Sequence, residues 1–160
     1  MNTSIISPGE CTPSDLAEFE RLVVAGGAVD PNGLDGRIRH AFRLLFCRTD
    51  DGQLIGAAAL KRPGIGYRSG VFERAHATES PDDYTTEIGW IVVAPSHRGQ
   101  LLPLQFIEQL LPHAQSEPTF ATTHSRAIEF ALSDAGFRRH GDQYPSKRDN
   151  YNLVLYVRRH

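Results

Sequence analysis

The apolar positions of this chain change their spacing several times, and each change predicts an element. Residues 3–6 read as a short first strand. Thr12-Pro13-Ser14-Asp15 then starts a helix, with proline and an acid in its first turn. Leu16, Phe19, Leu22 and Val23 continue at helical spacing until Gly26-Gly27 stops it. Asp30-Pro31-Asn32-Gly33 is turn chemistry, and a short second helix carrying Leu34, Ile38 and Ala41 is expected after it. Two apolar runs, 42–47 and 53–60, flank Asp50-Asp51-Gly52 and predict a hairpin. Residues 61–83 hold Pro63, Gly64, Gly66, Gly70 and Pro81 and read as a long loop of the functional kind. The strongest strand is 85–94, with Ile88, Trp90, Ile91, Val92 and Val93 in close succession and Trp90 assigned to the core. Residues 100–115 predict a helix with a wide apolar arc of Leu101, Leu102, Leu104, Phe106, Ile107, Leu110 and Leu111. A short strand at 120–123 and a helix at 125–135 follow, the latter ended by Gly136 in a left-handed conformation. Residues 137–144 and 150–158 close the chain as a hairpin.

Hairpins on both sides of a strand-helix-strand-helix centre imply an α/β (α+β) fold with a mixed sheet and helices on its faces. The 160 residues are one domain's worth, so residues 1–160 are expected to form a single domain. Apolar residues make up 40% and charged residues 22%, with a net charge of −2, so neither nucleic acid nor an anionic membrane is an expected partner. No apolar run approaches a membrane span, and the N-terminus lacks the pattern of a secretory signal. Cys11 and Cys47 have no metal-ligand spacing and read as free thiols of a cytoplasmic protein. The histidines show no metal-ligand spacing either, so no metal is expected. A monomer or homodimer is the expected assembly.

Candidate chemistry gathers where the strongest strand enters the most apolar helix. The turn Pro95-Ser96-His97-Arg98-Gly99-Gln100 leads into a helix N-terminus, where outward N–H groups and the helix dipole favour an anion. Arg98 adds a fixed charge, and Gly99 allows close backbone approach. Taken alone, one Gly and one Arg are a weak motif, and a plain strand-helix connection is the stronger reading of them. The stretch TTEIGWIVVAPSHRGQLL, however, resembles the core of GNAT-type N-acetyltransferases, and AIEFALSDAGF resembles the helix that follows in that family. The order of elements is similar too. The likeness extends over residues 52–158, and over the first 50 residues by element order alone.

The resemblance implies the single-domain GNAT-like acyl-CoA N-acyltransferase fold, with a mixed, mostly antiparallel central sheet. It also implies acetyl-CoA as co-substrate and a primary amine of a small molecule or peptide as acceptor. The family's pyrophosphate turn falls on Arg98, Gly99, Gln100, Leu101, Leu102 and Pro103. The edge of the strand at Ile91, Val92 and Val93 would pair with the pantetheine arm, and an N–H near Val92 would face the oxyanion. Ser125 stands where many members have an Asn contacting the cofactor, and Glu87 matches the position of a general base. Without the resemblance, Glu87 reads equally well as a strand-end carboxylate facing solvent or an arginine.

Three positions depart from the family pattern. Leu101 stands in place of a second Gly, Pro103 in place of Gly or Ala, and Leu132 in place of the Tyr that protonates the leaving thiolate. Pro103 removes one N–H donor yet is compatible with a first helical turn. Water, His124, Tyr84 or Tyr144 are the candidates to replace the missing Tyr, although a surface or capping role suits His124 better. Lys61, Arg62, Tyr67, Arg68 and Arg74 are candidate contacts for an anionic acceptor, against the stronger reading of a solvated loop balanced by Glu73, Glu79, Asp82 and Asp83. These departures motivate an alternative, a non-catalytic acyl-CoA-binding or interaction module. An unrelated phosphate-binding enzyme or a serine hydrolase lacks its fingerprint in the chain.

Overall fold

The computed structural model describes residues 1–159. The elements are β1 (Asn2–Ile6), α1 (Pro13–Ala25), α2 (Leu34–Arg39), β2 (Arg43–Arg48), β3 (Leu54–Lys61), α3 (Ile65–Arg74), β4 (Thr86–Val93), α4 (Leu102–Leu110), β5 (Thr119–Thr123), α5 (Arg126–Asp134), β6 (Arg138–Pro145) and β7 (Asn152–Arg158). The seven strands form one sheet in the order β1-β2-β3-β4-β5-β7-β6. Every pairing is antiparallel except β4 with β5.

Local chemistry accounts for most boundaries. Thr12 caps α1 in a reciprocal box with Asp15, which satisfies two N–H groups that the helix cannot. Helices cover both faces of the sheet. On one face α1 and α2 set Phe19, Val23, Leu34 and Ile38 against Leu44, Phe46, Ala57, Ala59 and Trp90. On the other, Leu102, Phe106, Ile107 and Leu110 of α4 and Leu132 of α5 pack on Leu45, Ala58, Leu60 and Ile88. Trp90 is a core residue, edge-on to Phe19.

Two expectations are corrected. Residues 61–83 are not a loop, because α3 runs through them. Gly66 and Gly70 weaken its helical signal, and tertiary packing overrides that weakness. Val71 and Phe72 bury against Tyr84, Phe120 and Tyr144, with Phe72 edge-on to Phe120. The helix expected at 100–115 is shorter. Its α-helical part ends at Leu110, and a tighter turn at Leu111–Ala114 follows, as Pro112 dictates. Leu101 is not in the apolar arc at all. It stands before α4 in a left-handed conformation, φ +57°, and is 72% exposed.

β4 positions the site. Its register against β3 slips between Ala57, opposite Val92, and Ala59, opposite Gly89. Trp90 sits at this bulge with φ +51°, an outlier for a bulky side chain. A bulge increases strand twist, and β4 leaves β5 after only two paired positions, Thr86 with Thr119 and Glu87 with Phe120. The two strands diverge from there, so the upper half of β4 offers an edge without a neighbour on that side.

Candidate active site

Glu87 lies at the point where β4 and β5 part. It is not the solvent-facing strand end that its spacing allowed: only 3% of it is exposed. Its Oε1 pairs with Lys61 Nζ at 3.1 Å and accepts a hydrogen bond from the Tyr67 hydroxyl at 3.2 Å. Its Oε2 is buried and has no partner. Lys61 is the residue directly across β3 from Glu87, and its ammonium also stands 4.5 Å from the Trp90 ring centroid. Gly89 lies beside that path, and a Cβ there would come within 3.0 Å of Lys61 Cε and Nζ.

Two tyrosines and a threonine complete the cluster. Tyr67 comes from α3; the residue is 48% exposed while its hydroxyl reaches inward to Glu87. Repulsion from the Glu87 carboxylate, then burial, pushes the Tyr67 phenol well above its ordinary value. Tyr144, from β6, is buried, and its hydroxyl is the second buried oxygen without a partner. Burial pushes the Tyr144 phenol up to about 12, with the Glu87 charge adding to the effect and Arg74 opposing it. The Thr122 hydroxyl of β5 lies close to both phenols. Both tyrosines therefore remain neutral hydroxyls at physiological pH, able to donate or accept a hydrogen bond but not to act as bases. A buried oxygen without a partner is costly, so each of these two calls for a polar group or water.

The remaining candidates separate. Tyr84 donates to Glu79, not toward Glu87. His124 is exposed and stacks on Tyr151, with ring centroids 3.9 Å apart. Leu132 is fully buried in the core. Of the cations at 61–83, Lys61 alone reaches Glu87. Arg62 stacks on Phe42, Arg68 donates to the Pro63 and Pro81 carbonyls, and Arg74 donates to the Pro145 carbonyl. The solvated-loop reading fails for Lys61 and Tyr67, and no motif pointed to that pair. Their signal was register: Lys61 falls opposite Glu87 once the two strands are aligned.

The turn lies at the far end of β4. Gly99 has φ +83°, and a side chain there would meet nothing but open space. Among the described residues, the N–H groups of Gly99, Gln100 and Leu101 donate to no protein acceptor. Leu102 follows as the first residue of α4, and Pro103 occupies the first turn, where no intrahelical acceptor is available. Arg98 is exposed and folds back, its Nε donating to the Val93 carbonyl at 3.3 Å. Ile91, Val92 and Val93 form the β4 edge between this turn and Glu87. Ser125 caps α5, accepting from the Ile128 N–H at 3.4 Å, and Thr123 in turn accepts from the Ser125 N–H. The donors, the free edge and the carboxylate thus lie in sequence along one strand.

A sheet split beside a bulged β4, with a helix N-terminus at the end of the split, decides the fold. The chain has the GNAT fold. An acyl-CoA N-acyltransferase from Pseudomonas aeruginosa superimposes with a TM-score of 0.72 at 19% identity, over 98% of each chain. ElaA from Escherichia coli gives 0.71 at 16% identity, again over 98% of each chain. A GNAT-family acetyltransferase from Streptococcus agalactiae gives 0.71 at 15% identity, over 99% of this chain and 95% of the other. No family model and no curated protein matches the chain by sequence. The GNAT fold places the split between its parallel strands here at Glu87, and the N-terminus of its central helix at Leu102.

Proposed function

We propose that this chain is an acetyl-CoA-dependent N-acyltransferase that acetylates the primary amine of a small molecule or peptide. The observation that carries the reading is the buried, unpartnered Oε2 of Glu87 at the parting of β4 and β5. The residues present fit the co-substrate. The free N–H groups of Gly99, Gln100 and Leu101, with Arg98, suit a pyrophosphate, and the edge at Ile91, Val92 and Val93 suits a pantetheine arm. The thioester supplies the activated acyl carbon.

Glu87 Oε2 takes a proton from the entering ammonium and passes it to water, which frees the nitrogen lone pair. The nitrogen bonds to the acyl carbon, the C–S bond breaks with its electrons on sulfur, and the second N–H proton leaves through Glu87. An N–H near Val92 stabilises the charge that develops on the carbonyl oxygen. A thiol's ordinary pKa of about 8.5 makes the thiolate a tolerable leaving group without the tyrosine that Leu132 replaces.

Thiol release from acetyl-CoA, measured across a panel of amines and peptide N-termini, tests the reading. Glu87→Gln is expected to lower kcat by about 10²–10⁴-fold with acetyl-CoA affinity retained. Arg98→Glu is expected to weaken binding about ten-fold or more in calorimetric titration. Binding without turnover of any amine favours the non-catalytic module instead. No binding of acetyl-CoA or CoA ends both readings.

A further inference from the structure

We infer that residues 64–67, the N-cap and first turn of α3, form a gate over Glu87, latched by the Tyr67 hydroxyl, that must lift before a solute reaches the carboxylate. The inference deepens the N-acyltransferase reading and rests on it for what passes the gate, an acceptor amine. Glu87 is 3% exposed, and its free Oε2 is sealed from solvent. A base that exchanges protons with an entering amine and with water needs access to both. Some part of its surround therefore moves.

The cluster around Glu87 offers one element able to move at small cost. Lys61, Thr122 and Tyr144 stand on β3, β5 and β6, which are paired into the sheet. Tyr67 stands instead on a short helix and spans from the surface to the site: its hydroxyl reaches Oε1 at 3.2 Å while the residue is half exposed. Exposure falls steadily along α3. Residues 64–67 are exposed, residues 68–70 are half-buried, and Val71, Phe72 and Ala75 are buried.

The turn is fixed beyond its ends and weakly held between them. Arg68 donates to the Pro63 and Pro81 carbonyls, and Val71 and Phe72 anchor the rest of the helix. Gly64 is the N-cap and supplies no side-chain cap, and Gly66 has open space where a Cβ would go. Lifting the turn breaks the bond from the Arg68 N–H to the Gly64 carbonyl, 3.2 Å, and the bond from Tyr67 to Glu87. Two glycines favour the lifted chain, because glycine gains the most backbone freedom on leaving a helix. The closed turn also leaves Oε2 without a partner, a cost that an entering donor relieves.

Carbodiimide coupling of a small amine to carboxylates, read residue by residue in mass spectrometry, reports access to Glu87 without turnover. Exchange of the Arg68 amide, followed by NMR, reports opening of the turn. The Ala75 amide, bonded to the Val71 carbonyl at 3.0 Å, reports the anchored end. In the wild type, Glu87 is expected to label about 10-fold or more slower than the exposed Glu73. Tyr67→Phe is expected to raise Glu87 labelling and Arg68 exchange together by about 10-fold or more, the effect of one hydrogen bond to a charged group, with Ala75 unchanged. Gly66→Ala, which touches no group of the site, is expected to lower both by about 2- to 5-fold. Wherever an amine is turned over, Gly66→Ala is expected to raise its KM by the same factor with acetyl-CoA affinity retained. Glu87 labelling as fast as Glu73 overturns the gate, and so does labelling that fails to follow Arg68 exchange in the two variants. A rise at Ala75 equal to that at Arg68 overturns it as well, since the whole chain is then unfolding. These outcomes are read whether or not any amine is acetylated, and no turnover of any amine ends the N-acyltransferase reading alone.

Discussion

Tyr144 and Leu101 are two residues that the free protein holds at a cost. The Tyr144 hydroxyl is buried without a partner, and such a group destabilises by about 1–3 kcal/mol. Tyr144→Phe is therefore expected to raise stability by about 1 kcal/mol in urea unfolding. A loss of stability would show that water already satisfies the hydroxyl. Leu101 has φ +57° and an open side chain, so it gains little from burial and bears the left-handed penalty of about 1–2 kcal/mol. Leu101→Gly is expected to raise Tm by about 2–4 °C for each kcal/mol recovered. An unchanged or lower Tm in differential scanning calorimetry would count against strain at this position. The resemblance that placed a glycine here was thus informative about backbone shape. The leucine keeps the shape and bears the strain.

At the scale of elements, α3 shows where the sequence falls short. Pro63, Gly64, Gly66 and Gly70 describe a loop by propensity, yet Val71 and Phe72 fold it onto Tyr84, Phe120 and Tyr144. That packing is non-local, so no window of sequence reports it. Gly66 and Gly70 have free space where a Cβ would go. Gly70→Ala is accordingly expected to stabilise by about 0.5–1 kcal/mol, read from the urea midpoint. The segment after α3 is fastened by Glu79, which accepts from Tyr84 and pairs with Arg138 and Arg159. Burial pushes the Glu79 carboxyl up, but hydrogen bonds from Tyr84, Arg138 and Arg159 outweigh it and hold the group below its ordinary value. A depressed carboxyl contributes stability above its unfolded pKa, about 4.3, and loses it as pH falls through the lower folded value. Wild type and Glu79→Gln are expected to differ at pH 7 and to converge toward pH 3 in denaturant titrations. A constant gap across that range would remove Glu79 from the acid response. The strands, the hairpins and the order around the turn were legible because their signals are local: alternation, Asp-Gly, and a proline after a branched run. Glu87 was legible through resemblance alone. Lys61, Tyr67 and Tyr144 were candidates by residue type, but their gathering around Glu87 was not legible, since three separate elements bring them to it.

For the whole molecule, the seven strands make one sheet by order but two by connection. Four strands, β1 to β4, meet three, β5, β7 and β6, through the two paired positions at Thr86 and Glu87. The core on the α4 side spans this seam, through Leu110, Ala121 and Leu132, so side chains rather than backbone bonds hold the halves in line. The molecule is thus a pair of leaves on a short spine. Motions that open the leaves break few hydrogen bonds, and amides on the open edge of β4 are expected to exchange early and together. A molecule lying along that edge acts as an added strut. It should slow exchange at Ile91 and Val93, and it should stabilise the whole chain by about 2.7 kcal/mol at a hundred times its dissociation constant. The same seam that admits the ligand then makes unfolding more cooperative once the ligand is in place.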